Sequence, residues 1–250
     1  MRSFIVVLFL LISAPSFSQI LNAESLRKVT DTSGFTGTTG LRFSLKRTTL
    51  DFLTFGSTIH LQYKMNKNLV LFKNDILFEK IEGAKLENSG ISHARYNHRF
   101  HPRIAWEIFA QGQYNKVSLV DFRGLLGTGP RFKLSNSENY KFYLGTLVMY
   151  EHEELVDGFT PVQRDFRGSA YLSFSLYPTE TISLASTTYY QPRLSQFSDF
   201  RISSQSSLLI TLYKEFSFLI NYTFTYDAFP AVSIPTSQYD FTTGFAYSFD

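Results

Sequence analysis

The 250-residue sequence contains no cysteine, which excludes disulfide bonds, thiol chemistry and a lipid anchor attached through an N-terminal cysteine. Its net charge of +3 is too small to indicate nucleic-acid binding, and no nucleic-acid motif is present. Beyond residue 18 no apolar run is long enough to cross a bilayer as a helix. Tryptophan occurs once, yet phenylalanine and tyrosine bring the aromatic content to 17%.

The N-terminus has the organisation of a secretory signal peptide. Arg2 supplies the positive charge, and residues 4–12 form an apolar run that is too short to span a membrane. Small side chains follow, so we expect cleavage between Ser18 and Gln19. The polar segment that comes next, up to residue 33, has no clear strand pattern and is predicted to be a periplasmic lead-in or a small plug.

Apolar and polar residues alternate along most of the remaining chain, whereas helical periodicity is nearly absent. This criterion gives about twelve strand candidates. Most are long, which suits tilted membrane strands better than the strands of a soluble sandwich. The predicted strands lie at 35–46, 50–64, 68–79, 89–100, 104–115, 119–133, 140–153, 164–177, 181–192, 200–213, 215–227 and 238–249.

The connections between these strands alternate in length. Those after the even-numbered strands are tight, as at 65–67 and 101–103, whereas longer ones occur at 80–88, 155–163 and 228–237. Short periplasmic turns that alternate with longer external loops are typical of an outer-membrane β-barrel. Such a barrel has an even number of strands and places both termini in the periplasm.

The apolar phase of each strand is predicted to face lipid, whereas a soluble β-sandwich would turn the same phase inward. Aromatic residues fall at both ends of the strands, as expected for girdles at the two membrane interfaces. The periplasmic girdle would contain Tyr63, Phe132, Tyr140, Phe216 and Phe249, and the external one Tyr114, Tyr150, Phe166, Tyr190, Tyr226 and Tyr239.

The opposite phase is strongly polar and is predicted to face the lumen. Arg95 is expected to face Glu107 across one hairpin, and Glu151 to face Arg167 across another. The charges either pair into a network that fills the barrel, or leave arginines free to line a narrow pore that favours anions. The predicted lumen residues are Arg42, His60, His93, Arg95, Arg99, Glu107, Gln111, Asp121, Arg123, Glu151, Arg167 and Arg201.

The last strand resembles the C-terminal strand that the outer-membrane barrel-assembly machinery reads. Gly244 is followed by aromatic residues at alternate positions, including Tyr247 and Phe249. Asp250 departs from this pattern because it displaces the aromatic residue from the extreme C-terminus. We predict that Gly244, Tyr247 and Phe249 form the assembly signal.

The middle of the chain carries a second resemblance. It reads QGQYN at 111–115 and RGLLGTGPRF at 123–132, with further matching residues up to Glu151. This run resembles an uncharacterised family of bacterial outer-membrane barrels, sometimes labelled salt-induced outer-membrane proteins and otherwise a domain of unknown function. The resemblance covers about residues 20–250 and implies a barrel without assigning catalytic residues.

The glycines of that run do not predict a phosphate-binding loop. Such a loop needs a helix N-terminus after it, and a strand follows Gly127, Gly129 and Pro130 instead. A bulge or a site of close packing is the prediction for these positions.

Enzymatic motifs are weak in this chain. Outer-membrane phospholipases and lipid A deacylases, which it resembles in barrel class, place a histidine and a serine two residues apart on one face of a strand. None of the five histidines has a serine at that spacing. The run 151–154 (EHEE) is the one candidate for a protease or metal site at the external rim. A solvated acidic loop edge is the simpler interpretation.

The sequence therefore predicts an all-β protein, a single transmembrane up-and-down antiparallel β-barrel of about twelve strands in a Gram-negative outer membrane. Its predicted role is that of a non-enzymatic structural barrel or small-solute channel, and the alternative is an enzyme acting on lipid or envelope substrates at the rim. No cofactor or metal is predicted. The expected partners are outer-membrane lipid and lipopolysaccharide, the barrel-assembly machinery and a small anionic solute. The expected domains are a signal peptide at 1–18, a periplasmic lead-in at 19–33 and the barrel at 34–250.

Overall fold

The computed structural model describes residues 33–47, 51–81, 84–137, 139–156, 160–213 and 216–247. The predicted signal peptide, the lead-in apart from Ser33, and Phe249 lie outside the described residues. Within the described ranges, no helix is long and apolar enough to span a membrane.

Twelve strands make up the described chain, close to the predicted segments. They are β1 (Gly34–Arg47), β2 (Asp51–Met65), β3 (Asn68–Ile81), β4 (Ala84–His101), β5 (Ile104–Asn115), β6 (Val120–Lys133), β7 (Tyr140–Leu155), β8 (Gln163–Thr179), β9 (Ile182–Arg193), β10 (Gln196–Tyr213), β11 (Phe216–Asp227) and β12 (Ser237–Tyr247).

Each strand pairs with its neighbours in the chain, and the order of the single sheet runs from β1 to β12. All of the pairings are antiparallel, as β4 with β5 and β7 with β8 illustrate. The predicted fold class, an all-β up-and-down antiparallel β-barrel of about twelve strands, is confirmed. In the part of the chain that the structure describes, β1 and β12 are the two edges of the sheet.

The sheet is strongly curved, because side chains from strands that are three apart touch on its concave face. The Tyr171 hydroxyl of β8 donates a hydrogen bond to Glu107 of β5 at 2.6 Å. Arg201 of β10 donates to Glu153 of β7 at 2.9 Å. In a flat sheet such strands would lie about 14 Å apart. The curvature therefore creates an interior.

One predicted loop is wrong. The expected connection at 80–88 is strand instead, because β3 continues to Ile81 and β4 already begins at Ala84. Phe78 pairs with Asn88, and after a register shift beyond Glu79 the ladder continues to Ile81 opposite Ala84. Strands that extend beyond the apolar band meet water, so charge there does not disfavour β-structure. The predicted connection before β12 is present, at 228–236.

Burial is inverted relative to a soluble protein, because polar side chains are buried and large apolar ones are exposed. In β7, Leu147, Met149 and Glu151 are buried, whereas Val148 and Tyr150 between them are exposed. The exposed apolar side chains occur on almost every strand, among them Leu41, Phe55, Phe72, Tyr96, Trp106, Ile108, Leu126, Val148, Phe166, Leu172, Tyr222 and Phe241.

Aromatic rings form contacts on the outer face near one end of the sheet. Tyr150 packs against Phe166 with ring centroids 5.5 Å apart, and Phe200 lies between Tyr190 and Tyr226 at 5.6 and 5.4 Å. These rings lie toward the end with connections 116–119, 156–162 and 228–236, which we call the loop end. The opposite end, where β1 begins and β12 finishes, is the turn end.

Glycines allow β5, β6, β7 and β8 to pack closely on the concave face. A Cβ atom at Gly127 would lie 2.4 Å from the Phe109 ring, and one at Gly145 would lie 2.0 Å from the Tyr171 ring. At Gly129 it would meet backbone, 2.3 Å from the Thr146 oxygen. The predicted close packing at Gly127 and Gly129 is confirmed.

Candidate functional site: the charged interior

The interior is built from residues at alternate positions, and between β4 and β11 it has three layers. A layer of paired charges lies toward the loop end, an apolar layer lies in the middle, and a basic cluster lies toward the turn end. The layering follows from the alternation of side chains along each strand. Every second residue points inward, and successive inward residues lie at successive heights in the interior.

The loop-end network is centred on Glu151 of β7, which has no exposed surface. One carboxylate oxygen accepts hydrogen bonds from Arg123 Nε and Arg201 Nη1, both at 2.6 Å. The other accepts from Arg167 Nε. Three guanidinium groups from β6, β8 and β10 thus converge on one buried carboxylate.

Further carboxylates balance these arginines. Arg201 donates to Glu153 at 2.9 Å and through Nε to Asp227 at 2.7 Å. Arg167 Nη2 donates to Asp199 at 2.9 Å. The network extends to β9, where Arg193 Nη2 lies 2.6 Å from Asp165 Oδ1.

The loop-end network joins the inner faces of β6 to β11, six consecutive strands. Its members are Arg123, Glu151, Glu153, Asp165, Arg167, Arg193, Asp199, Arg201 and Asp227. Cations and carboxylates alternate within it. A buried array of this kind remains stable only when each charge keeps partners of opposite sign.

The middle layer is apolar and aromatic. It consists of Phe109, Leu125, Leu147, Met149, Tyr171 and Tyr189. His93 adds to this layer, since its ring stacks on Phe109 at 5.6 Å and its Nδ1 lies 2.9 Å from Gln111 Oε1. The cavity that remains among these side chains is only about 20 Å³, close to the volume needed for one water molecule.

The turn-end layer contains a second buried carboxylate, Glu107 of β5. Arg95 Nη1 lies 3.9 Å and Arg131 Nε 3.8 Å from its Oε1 atom, and Tyr171 donates to Oε2 at 2.6 Å. The guanidinium of Arg131 also stacks over the Tyr143 ring at 3.8 Å.

Both predicted ion pairs form, each with a register shifted by two residues. Glu107 lies opposite Asn97, and Arg95 reaches it diagonally. Glu151 lies opposite Asp165, and Arg167 reaches it from the next inward position.

The remaining predicted lumen residues differ in their surroundings. His60 Nε2 lies 2.8 Å from Asp75 Oδ1 on the neighbouring strand, and Gln111 donates to Gln113 at 2.6 Å. Arg42 and Arg99 follow the inward phase but are exposed, because both lie where the interior is not filled by other side chains.

The inward placement of Asp121 is wrong. Its side chain is exposed and pairs with Lys116 of the adjoining loop. The register of β6 shifts between Val120 and Phe122, so that Val120 and Arg123 both point inward and Asp121 does not. A β-bulge of this kind adds one residue and reverses the phase on one side of it.

Several charged residues of the interior escaped the sequence-based prediction. Asp199 falls before the predicted start of its strand at 200, yet β10 begins at Gln196. Asp227 ends β11 and has the same phase as Thr225, which would have identified it. Glu153 follows Glu151 at the inward spacing, and Arg131 shares the phase of Arg123.

The candidate rim cluster at 151–154 is divided between two faces. Glu151 and Glu153 point inward into the network, whereas His152 pairs with Glu154 at 2.9 Å on the outer face. The four side chains therefore do not converge on one point. Within the described residues, no group of three or more histidines and carboxylates is placed to hold a metal ion.

The other side of the interior is lined by smaller side chains. A cavity of about 280 Å³ lies against β1 to β5, with Arg42, Thr58 and Asp75 among its walls. The inward residues of β1, β2, β10, β11 and β12 are mainly hydroxyl, amide and glycine. They include Thr36, Thr54, Thr58, Ser203, Gln205, Ser207, Ser217, Asn221, Thr223, Thr225 and Thr242.

The connection 228–236 lies over the loop-end network. It lines a cavity of about 240 Å³ together with Glu153, Arg201 and Asp227. Asp227 fixes the start of this connection. One of its carboxylate oxygens binds Arg201, and the other accepts a hydrogen bond from the Phe229 amide at 3.0 Å. The connection thus covers part of the mouth.

A family model described as "Protein of unknown function, DUF481" matches residues 30–249, which include all twelve strands. The chain belongs to the DUF481 family. This membership confirms the resemblance seen in the sequence around 111–132.

In this DUF481 chain the motif residues build the interior. Gln111, Gln113 and Arg123 are buried on the inner face, and Gly127 and Gly129 admit the neighbouring side chains of the apolar layer. The motif that carries the resemblance therefore specifies how the middle of the interior packs.

Comparison with curated proteins finds no match for this DUF481 chain. Among solved structures, the NanC porin is similar with a TM-score of 0.48 and 6% identity, over 78% of this chain and 94% of that one. OccK11 (OpdR) of Pseudomonas aeruginosa is similar with a TM-score of 0.40 and 6% identity, over 86% of this chain and 84% of that one.

Proposed function

We propose that this chain is an integral outer-membrane β-barrel that serves as a narrow, non-enzymatic passage for small polar solutes. The inverted burial carries the membrane assignment. Apolar side chains cover the convex face, as lipid requires, and charged ones are buried on the concave face. The N-terminal signal pattern and the aromatic contacts at the loop end support it.

The proposal of a passage rests on the difference between the two sides of the interior. The side lined by β4 to β9 is obstructed by the network and the apolar layer, whereas the wall of β10 to β12 and β1 to β2 has small hydroxyl and amide side chains. Such a wall offers hydrogen bonds to an uncharged polar solute.

Arg123, Arg167 and Arg201 have no role as an anion filter in this proposal, because each is held by buried carboxylates. In this proposal the loop end faces the outside and contacts lipopolysaccharide, the turn end faces the periplasm, and Gly244, Tyr247 and Phe249 remain the proposed assembly signal.

Conductance of the refolded protein in a planar bilayer tests the passage. We expect small discrete steps, and swelling of proteoliposomes in small uncharged sugars. Replacing Thr223, an inward residue of β11, with tryptophan should lower the conductance by about twofold or more, because bulk enters the unfilled side.

The matched control is Tyr222→Trp, the adjacent residue whose side chain is exposed on the outer face. It should leave the conductance unchanged. A folded barrel that never conducts would contradict the passage.

A further inference from the structure

The turn end of the interior carries an excess of positive charge that the loop-end network lacks. Between the apolar layer and the short turns, Glu107 is the only carboxylate among the described inward residues, and it has no exposed surface. The inward cations of the same region come from β2, β4, β6 and β7, and they are Lys64, Arg95, Arg99, Arg131, Lys133 and Lys141.

Strand register brings two of these arginines to the same height. Ala105 of β5 pairs with Arg99 on one side and with Arg131 on the other. The backbones of the two arginines are therefore about 10 Å apart, and both side chains share the inward phase. Only the small side chain of Ala105 stands between them at this height.

Two further cations complete the cluster. Lys133 lies two residues beyond Arg131, at the next inward position toward the turn, and it pairs with Tyr143. Lys141 enters from β7, with its ammonium 6.0 Å from the centre of the Tyr177 ring. We call Arg99, Arg131, Lys133 and Lys141 the turn-end basic cluster.

Accessible and buried cations have different roles in this cluster. Arg99 is exposed and Lys133 is half-buried, so both can reach a solute. Arg131 and Lys141 are buried against tyrosine rings, and they supply a fixed positive field behind the accessible pair. Charges at a partly desolvated site act on an anion more strongly than charges in bulk water do.

We infer that the turn-end basic cluster binds small soluble anions that carry phosphate or carboxylate groups. Guanidinium groups bind both through paired, charge-assisted hydrogen bonds. The side chains follow the inward phase, which favours a soluble anion over the headgroups of surrounding lipid. The site does not require conduction. The turn end faces the periplasm only in the orientation of the proposed function, and the opening of the site to the periplasm rests on that orientation.

Calorimetric titration of the refolded mature protein with inorganic pyrophosphate, in a nonionic detergent at low salt, tests this site. We expect saturable binding that weakens as sodium chloride is added. The double variant Arg99→Gln/Lys133→Gln should bind at least about tenfold more weakly. Both side chains are accessible, so the variant should fold, and its urea midpoint provides the check.

The matched control removes the same charge from the loop end, in the double variant Arg47→Gln/Lys116→Gln, whose affinity should be unchanged. Absence of saturable binding, or equal weakening in both double variants, would overturn the site. Repeating the titration in vesicles of phosphatidylcholine with and without phosphatidylglycerol separates the two sources of phosphate. The affinity should be the same in both, and competition by phosphatidylglycerol would assign the cluster to lipid instead.

Discussion

Replacing Glu151 with glutamine is expected to lower the free energy of unfolding by about 3–5 kcal/mol. Glu151 accepts hydrogen bonds from Arg123, Arg167 and Arg201, and it has no contact with solvent. Glutamine has nearly the same shape, so little packing is lost. It leaves three buried guanidinium groups without the carboxylate on which they converge, and its amide places a donor against another donor.

Urea unfolding of the refolded barrel, followed by loss of β-sheet circular dichroism, measures this difference. The matched control is Glu154→Gln, three residues along the same strand, on the outer face and partly exposed beside His152. An exposed pair of this kind contributes at most about 1 kcal/mol. Equal effects of the two substitutions would mean that the network does not stabilise the fold.

Strand phase explains why so much of this fold is predictable from the sequence. A bilayer outside and polar side chains inside impose alternation on each strand independently, so the twelve strands and most inward residues can be located without knowing their partners. The prediction fails where an irregularity in strand pairing changes which residues of a strand point inward. The bulge between Val120 and Phe122 turns Asp121 outward, and no residue in the local sequence marks it.

The arrangement of the interior is less predictable because it depends on curvature and register. The sequence shows arginines and carboxylates interleaved along the chain, which is compatible with a network or with a pore. The contacts between Arg201 and Glu153, or between Tyr171 and Glu107, join strands three apart. Such contacts depend on how far the sheet curls. The concentration of inward cations at the turn end likewise emerges only when the strands are aligned.

Replacing Gly129 with alanine is expected to destabilise the barrel by about 3 kcal/mol, the upper part of the range for overpacking. The new methyl group would lie 2.3 Å from the Thr146 carbonyl oxygen and 2.7 Å from Leu147 Cα. Both atoms belong to the backbone of β7, so the clash cannot be relieved by rotating a side chain. Relief requires β6 and β7 to separate, which would disturb the apolar layer around Leu147 and the contacts of Glu107 opposite Gly129.

A matched control for Gly129 is Gly56→Ala, also on the inner face, where the added methyl group would meet its nearest neighbour, Arg42 Cβ, at 3.5 Å. That distance is an ordinary van der Waals contact, and alanine restricts the unfolded chain more than glycine does, so stability should stay the same or rise slightly. The urea midpoints of both variants measure the contrast. If Gly129→Ala were as stable as Gly56→Ala, the close approach of β6 and β7 would not be needed, and the glycines of the family motif would require another explanation.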